Sequence, residues 1–129
     1  MCGLTGFLWN PKLTSPDIDR QLMLMSEAIK HRGPDDFGRW FDASLGVAIA
    51  HQRLSVLDLS FAGHQPMHSS SGRFTIAFNG EIYNHKDLKN ELVGKTKCSI
   101  EWRGHSDTEI LLACFEEWGV DLTLEKLIG

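Results

Sequence analysis

Phe37-Gly38-Arg39-Trp40-Phe41-Asp42-Ala43-Ser44-Leu45-Gly46-Val47-Ala48-Ile49-Ala50-His51-Gln52-Arg53-Leu54 is the stretch that decides the fold class. Phe37 to Phe41 and Leu45 to Leu54 carry the aromatic and β-branched residues that suit a pleated surface, and turn chemistry separates them. The pattern predicts two strands paired antiparallel. Phe74 to Phe78 reads as a further strand, with Ser69-Ser70-Ser71-Gly72 as the hairpin or short loop before it. Upstream, Gly33-Pro34 ends a helix that starts at Ser15-Pro16-Asp17, and within it Ile18, Leu22, Met25 and Ile29 recur at helical spacing. The small and apolar segment Cys2 to Trp9 is a short buried strand near the chain start. Downstream, a short helix can begin at Asn84. A longer one begins at Ser106, where Ser106-x-x-Glu109 forms a capping box ahead of Ile110 to Trp118. Hairpins with helices between them, rather than strict strand-helix alternation, give an α+β layered domain and argue against a parallel doubly wound sheet.

Composition excludes several classes. With 129 residues, 42% hydrophobic and 23% charged, the chain fits one ordinary globular domain and not a disordered tail. Thirteen basic against 17 acidic residues leave a net charge of -4, which offers no electrostatic footprint for nucleic acid or an anionic membrane. The longest apolar runs, Leu45 to Ala50 and Ile110 to Phe115, are far shorter than the roughly 20 residues of a membrane span, and no signal peptide opens the chain. A cytoplasmic protein is expected. Cys2, Cys98 and Cys114 are odd in number and lack C-x-x-C spacing, so neither a disulfide framework nor a zinc knuckle is indicated. The six histidines show no i, i+4 pair on a helix, and no metal is expected.

Four places carry chemistry. Met1 precedes a small residue, so its removal would leave Cys2 with a free α-amine; nucleophile and base would then share one residue. Taken alone, a cysteine in an apolar segment is more often a small buried hydrophobe than a catalyst. Asn79-Gly80, after an apolar segment, offers a side-chain amide and a backbone amide side by side, the donors of an oxyanion hole or simply an Asn-Gly hairpin turn. Asp107 is either a ligand group or an acidic residue complementing the helix dipole. Arg53 ends an apolar strand, where it clamps a carboxylate or marks the surface edge.

Read together, six blocks resemble the glutaminase domain of class II glutamine amidotransferases, in the asparagine-synthetase branch. They are Met1-Cys2-Gly3-Leu4-Thr5-Gly6-Phe7, His31-Arg32-Gly33-Pro34-Asp35-Asp36, Arg53-Leu54-Ser55-Val56-Leu57-Asp58, Ala62-Gly63-His64-Gln65-Pro66-Met67, Asn79-Gly80-Glu81-Ile82-Tyr83-Asn84 and Ser106-Asp107-Thr108-Glu109. The resemblance implies an N-terminal-nucleophile hydrolase-like sandwich of antiparallel β-sheets with flanking helices, truncated after Leu124-Glu125-Lys126-Leu127-Ile128-Gly129, where relatives continue into further core strands. Residues 1–129 would be the N-terminal part of the domain. The resemblance further implies that Cys2 attacks the side-chain amide of glutamine to form a γ-glutamyl thioester, with Asn79 and Gly80 holding the oxyanion. Arg53 would hold the α-carboxylate, Asp107 helped by Glu81 the α-ammonium, and the backbone of Leu54, Ser55, Val56 and Leu57 would line the pocket. The domain itself would need no cofactor; ATP and magnesium belong to a synthetase domain that is its expected partner and that has no counterpart between Met1 and Gly129. A homodimer through an exposed strand edge is a further expectation. The rival expectation is a non-catalytic fragment or pseudo-glutaminase, in which a retained Met1 deprives Cys2 of its own amine base.

Overall fold

A computed structural model describes residues 2–9, 14–56, 59–95 and 100–129. They divide into two compact units. The first holds the described residues up to Ser55 together with His64–Pro66 and Ala77–Asn79; the second holds Val56–Gly63, Met67–Ile76 and Gly80–Gly129. None of the described helices is long and apolar enough to cross a membrane.

In the first unit, strands β1 (Gly3–Leu8), β2 (Asp36–Asp42) and β3 (Val47–Arg53) form an antiparallel sheet with β3 in the centre. The register pairs Gly3 with Gln52 and Asp36 with Arg53, so both outer strands meet the same end of β3. The predicted strand from Leu45 starts two residues later, because residues 43–46 form the turn. Asp42 Oδ1 accepts the amides of Ser44 and Leu45 at 2.8 and 3.1 Å, and Gly46 adopts a φ of 65°, open to glycine. The Ser44 hydroxyl, which donates to the same oxygen, is the main reason that the Asp42 carboxyl sits below its ordinary range. Helix α1 (Ser15–Ala28) lays Ile18 and Leu22 on Ala48 and Ala50, all fully buried, with Phe7, Trp9, Phe37 and Phe41 around them. Alanines on β3 allow the helix to approach, and each buried Ile or Leu contributes about 1.5 to 3 kcal/mol. The helix ends at Ala28 rather than at Gly33, and a 3-10 turn over Lys30–Arg32 carries the chain on to that glycine.

In the second unit, β4 (Met67–His68) and β5 (Thr75–Ile76) form the expected hairpin around Ser69–Gly72. The strand anticipated from Phe74 to Phe78 is only these two residues long, because the Ser69 hydroxyl takes the Phe74 amide at 3.0 Å. Helices α2 (His85–Lys95), α3 (Asp107–Trp118) and α4 (Val120–Lys126) bury Leu88, Leu92, Ile110, Leu111, Leu112 and Cys114. Gly119, at φ 80°, makes the corner between α3 and α4, and the Thr123 hydroxyl donates back to its carbonyl at 2.7 Å. Lys126 Nζ closes the unit, 2.9 Å from Glu91 and over the Trp118 ring. The α+β class and the antiparallel pairing therefore follow the sequence reading.

Candidate active site

Cys2 lies one residue ahead of β1, where the pairing of Gly3 with Gln52 sets it level with Arg53, the last residue of β3. Its half-buried thiol meets both backbone polar groups of one residue, Leu54. The Leu54 amide donates to Sγ at 3.3 Å, and the thiol donates to the Leu54 carbonyl at 3.6 Å. Arg32 Nε donates to the Cys2 carbonyl at 3.3 Å. The thiol is thus parked by backbone groups at a strand end, a position set by sheet register rather than by a flexible loop.

The segment that parks it is itself braced. The Asp35 amide donates to the Arg53 carbonyl at 3.1 Å, and the Asp35 carboxylate accepts the Ser55 amide at 2.8 Å. One aspartate so holds the residues on either side of Leu54. Gly33 permits this, because any β-carbon there would overlap the Gln52 carbonyl. Arg53 is 8% exposed, Leu54 and Ser55 are half-buried, and Val56 is exposed. Leu57 lies outside the described residues, as do Met1 and Cys98.

Asn79 is exposed, but the residue before it is held at both polar groups. Gln65 Oε1 accepts the Phe78 amide at 2.6 Å, and His51 Nε2 lies 3.1 Å from the Phe78 carbonyl. His64, next to Gln65, is anchored by Asp36, with Nδ1 2.8 Å from the carboxylate. Burial pushes the His51 pKa below its ordinary 6.5; the Phe78 carbonyl opposes this, Arg53 adds to it, Asp36 opposes and His64 adds. The Asn-Gly hairpin turn considered above is not what forms here. Among the described residues no strand follows, and Gly80 is not among the glycines at positive φ that such turns require.

Gly80, Glu81 and Asp107 belong to the second unit. Gly80 and Glu81 are exposed, whereas Asp107, the first residue of α3, is 6% exposed. Its Oδ2 accepts the Ile82 amide at 2.9 Å, so the carboxylate ties the segment after Gly80 to the helix N-terminus. That segment is also pinned to the chain's last residues: the Tyr83 amide donates to Ile128 at 2.7 Å, and the Ile128 amide to Asn84 Oδ1 at 3.0 Å. The capping box needs correction. Ser106 does cap α3, but its hydroxyl accepts from the Thr108 amide at 3.2 Å. Glu109 turns instead to the amides of Arg103 and Gly104, at 2.8 and 3.1 Å, and pairs with the Arg103 guanidinium.

The first unit therefore brings Cys2 together with Leu54, beside Arg53, and steadies the approach to Asn79. Sequence reasoning assigned no role to Asp35, His51 or Gln65, although each lay in or beside a block already quoted. Their signal was polar residues within apolar or turn segments that had no surface task. Among the described residues, no group of three or more His, Cys, Asp or Glu side chains is placed to hold a metal ion.

A family described as a glutamine amidotransferase domain matches residues 1–129. Among similar proteins, Amidase chry2 of Gibberella zeae is 35% identical over 93% of this chain and 18% of its own length. Asparagine synthetase B [glutamine-hydrolyzing] of Escherichia coli is 34% identical over all of the chain and 22% of its own length. Asparagine synthetase [glutamine-hydrolyzing] 1 of Bacillus subtilis is 36% identical over 92% and 18%. The chain spans about a fifth of the length of these curated relatives.

Proposed function

The chain belongs to the glutamine amidotransferase domain family, and from that membership we propose that it hydrolyses glutamine to glutamate and ammonia through Cys2. The observation that carries the reading is the Cys2 thiol seated between the Leu54 amide and the Leu54 carbonyl, one residue from the buried Arg53. With Met1 removed, the α-amine of Cys2 takes the thiol proton, since the two groups ordinarily titrate near 8 and about 8.5. Sγ then bonds to the amide carbon of glutamine. The carbon-nitrogen bond breaks, ammonia leaves with the proton, and water hydrolyses the γ-glutamyl thioester to glutamate and free thiol. Asn79 and the Gly80 amide stabilise the oxyanion, a contribution worth about a hundred- to a thousandfold per donor. Arg53 takes the α-carboxylate and Asp107, aided by Glu81, the α-ammonium; a partner of each sign selects a zwitterion. The backbone of Leu54 and Ser55 lines the pocket.

The names of the relatives, amidase and glutamine-hydrolysing asparagine synthetase, agree on breaking an amide. We assign the ammonia to an ATP-dependent amidation by a synthetase domain, making asparagine or a related amide. Mass spectrometry of the N-terminus together with glutamate release from glutamine tests the reading. Processed Cys2 with turnover, abolished in Cys2→Ala and Cys2→Ser, supports it; turnover that survives Cys2→Ala, or a processed wild type without turnover, refutes it.

A further inference from the structure

The Phe78 carbonyl belongs to the peptide that joins Phe78 to Asn79, so whatever grips that oxygen also sets the plane from which Asn79 departs. Its partner is His51 Nε2 at 3.1 Å, and the preceding peptide is gripped at its amide by Gln65 at 2.6 Å. His51 is fully buried on β3 and, two residues from Arg53, points to the same face of the strand. Gln52, between them, points the other way and donates to Ser26 at 2.8 Å. We propose that His51 is a positioning residue for glutamine hydrolysis, acting as a neutral Nε2–H donor that holds the Phe78–Asn79 peptide and so aims the Asn79 amide.

The proposal rests on the glutaminase reading above. The acceptor fixes the tautomer, because a carbonyl oxygen can only receive, so Nε2 carries the proton. Nδ1 is buried with no hydrogen-bond partner among the described residues. A second proton there would have nothing to bond and would put charge near Arg53 and His64, with Asp36 the one opposing group among these neighbours. Burial favours the neutral ring for the same reason. An uncharged ring answers a positioning task well: it fixes direction without adding a charge that competes with Arg53 for a substrate carboxylate. Misplacing a catalytic donor by about 1 Å costs on the order of a hundredfold, so the expected effect lies in turnover and not in binding.

The test uses the protein as its gene encodes it. In His51→Leu, kcat for glutamate release should fall tenfold to a hundredfold with KM within about threefold, and His51→Gln, which returns an N–H near the same place, should recover most of the loss. Unchanged kcat in His51→Leu overturns the proposal, and so does equal impairment of both variants. Should His51→Leu fail to fold, nitrogen-15 NMR of the wild-type ring decides: a neutral Nε2–H tautomer at pH 7 is expected, and an Nδ1–H tautomer or an imidazolium overturns the assignment. Wild-type protein that releases no glutamate refutes the glutaminase reading itself, a result distinct from active wild type indifferent to residue 51.

Discussion

At the scale of single residues, His51 links the site to acid stability. Its pKa in the folded chain lies below the ordinary 6.5, chiefly through burial. As pH falls past 6.5, the unfolded chain binds a proton that the folded chain refuses, so unfolding gains. The stability contributed by the neutral ring is complete above about 6.5 and is lost as pH falls toward the depressed native value. Thermal melts from pH 7.5 to 5 should therefore decline more steeply for wild type than for His51→Gln; parallel curves would contradict the burial argument. Arg53→Ala should raise KM for glutamine strongly, since leaving one buried charge without its partner costs about 2 to 5 kcal/mol, or thirtyfold and more.

At the scale of elements, the start of α3 separates ligand binding from architecture. Asp107→Asn keeps an acceptor for the Ile82 amide while discarding the charge, so KM should rise with the melting temperature nearly unchanged. Asp107→Ala should add a loss of about 1 kcal/mol. If Asp107→Asn lowers the melt and leaves KM alone, the residue serves the helix and not the substrate. Ser106→Ala should cost about 1 kcal/mol with little kinetic effect, measured by denaturant titration beside a glutaminase assay. These residues also show where reading from sequence stops. Ser106 was legible as a cap because helix ends leave amides that a hydroxyl can satisfy. That Glu109 would abandon it for Arg103 and Gly104 was not, since the competing amides lie in an irregular loop without periodic signal. The two long strands were legible from residue type and turn chemistry, and α1 from its Ser15-Pro16-Asp17 start and helical spacing. The brevity of β5 and the grip on Phe78 were not, because both depend on side chains, Ser69, Gln65 and His51, that reach across sequence.

At the scale of the whole molecule, two thiols of one chain answer to opposite environments. Burial, helped by Glu91 and opposed by Lys126, pushes Cys114 up to about 12, which removes the reactive thiolate at neutral pH. In native protein, iodoacetamide should label Cys2 and spare Cys114, and guanidinium should expose both; mass-spectrometric labelling of native Cys114 would contradict this. Cys2 was singled out in the sequence by its place beside Met1. The glycines that make room for the site carry a different kind of consequence. At Gly33 a β-carbon would overlap the Gln52 carbonyl, and at Gly38 it would overlap the Gln65 carbonyl. Gly94, on α2, has open space at the same position. Any missense change in a glycine codon adds at least that carbon, so the DNA encoding residues 33 and 38 tolerates almost no missense drift. In a saturation library under selection, those codons should empty while codon 94 fills, alanine foremost, and the reading frame should bear the imprint of two carbonyl oxygens.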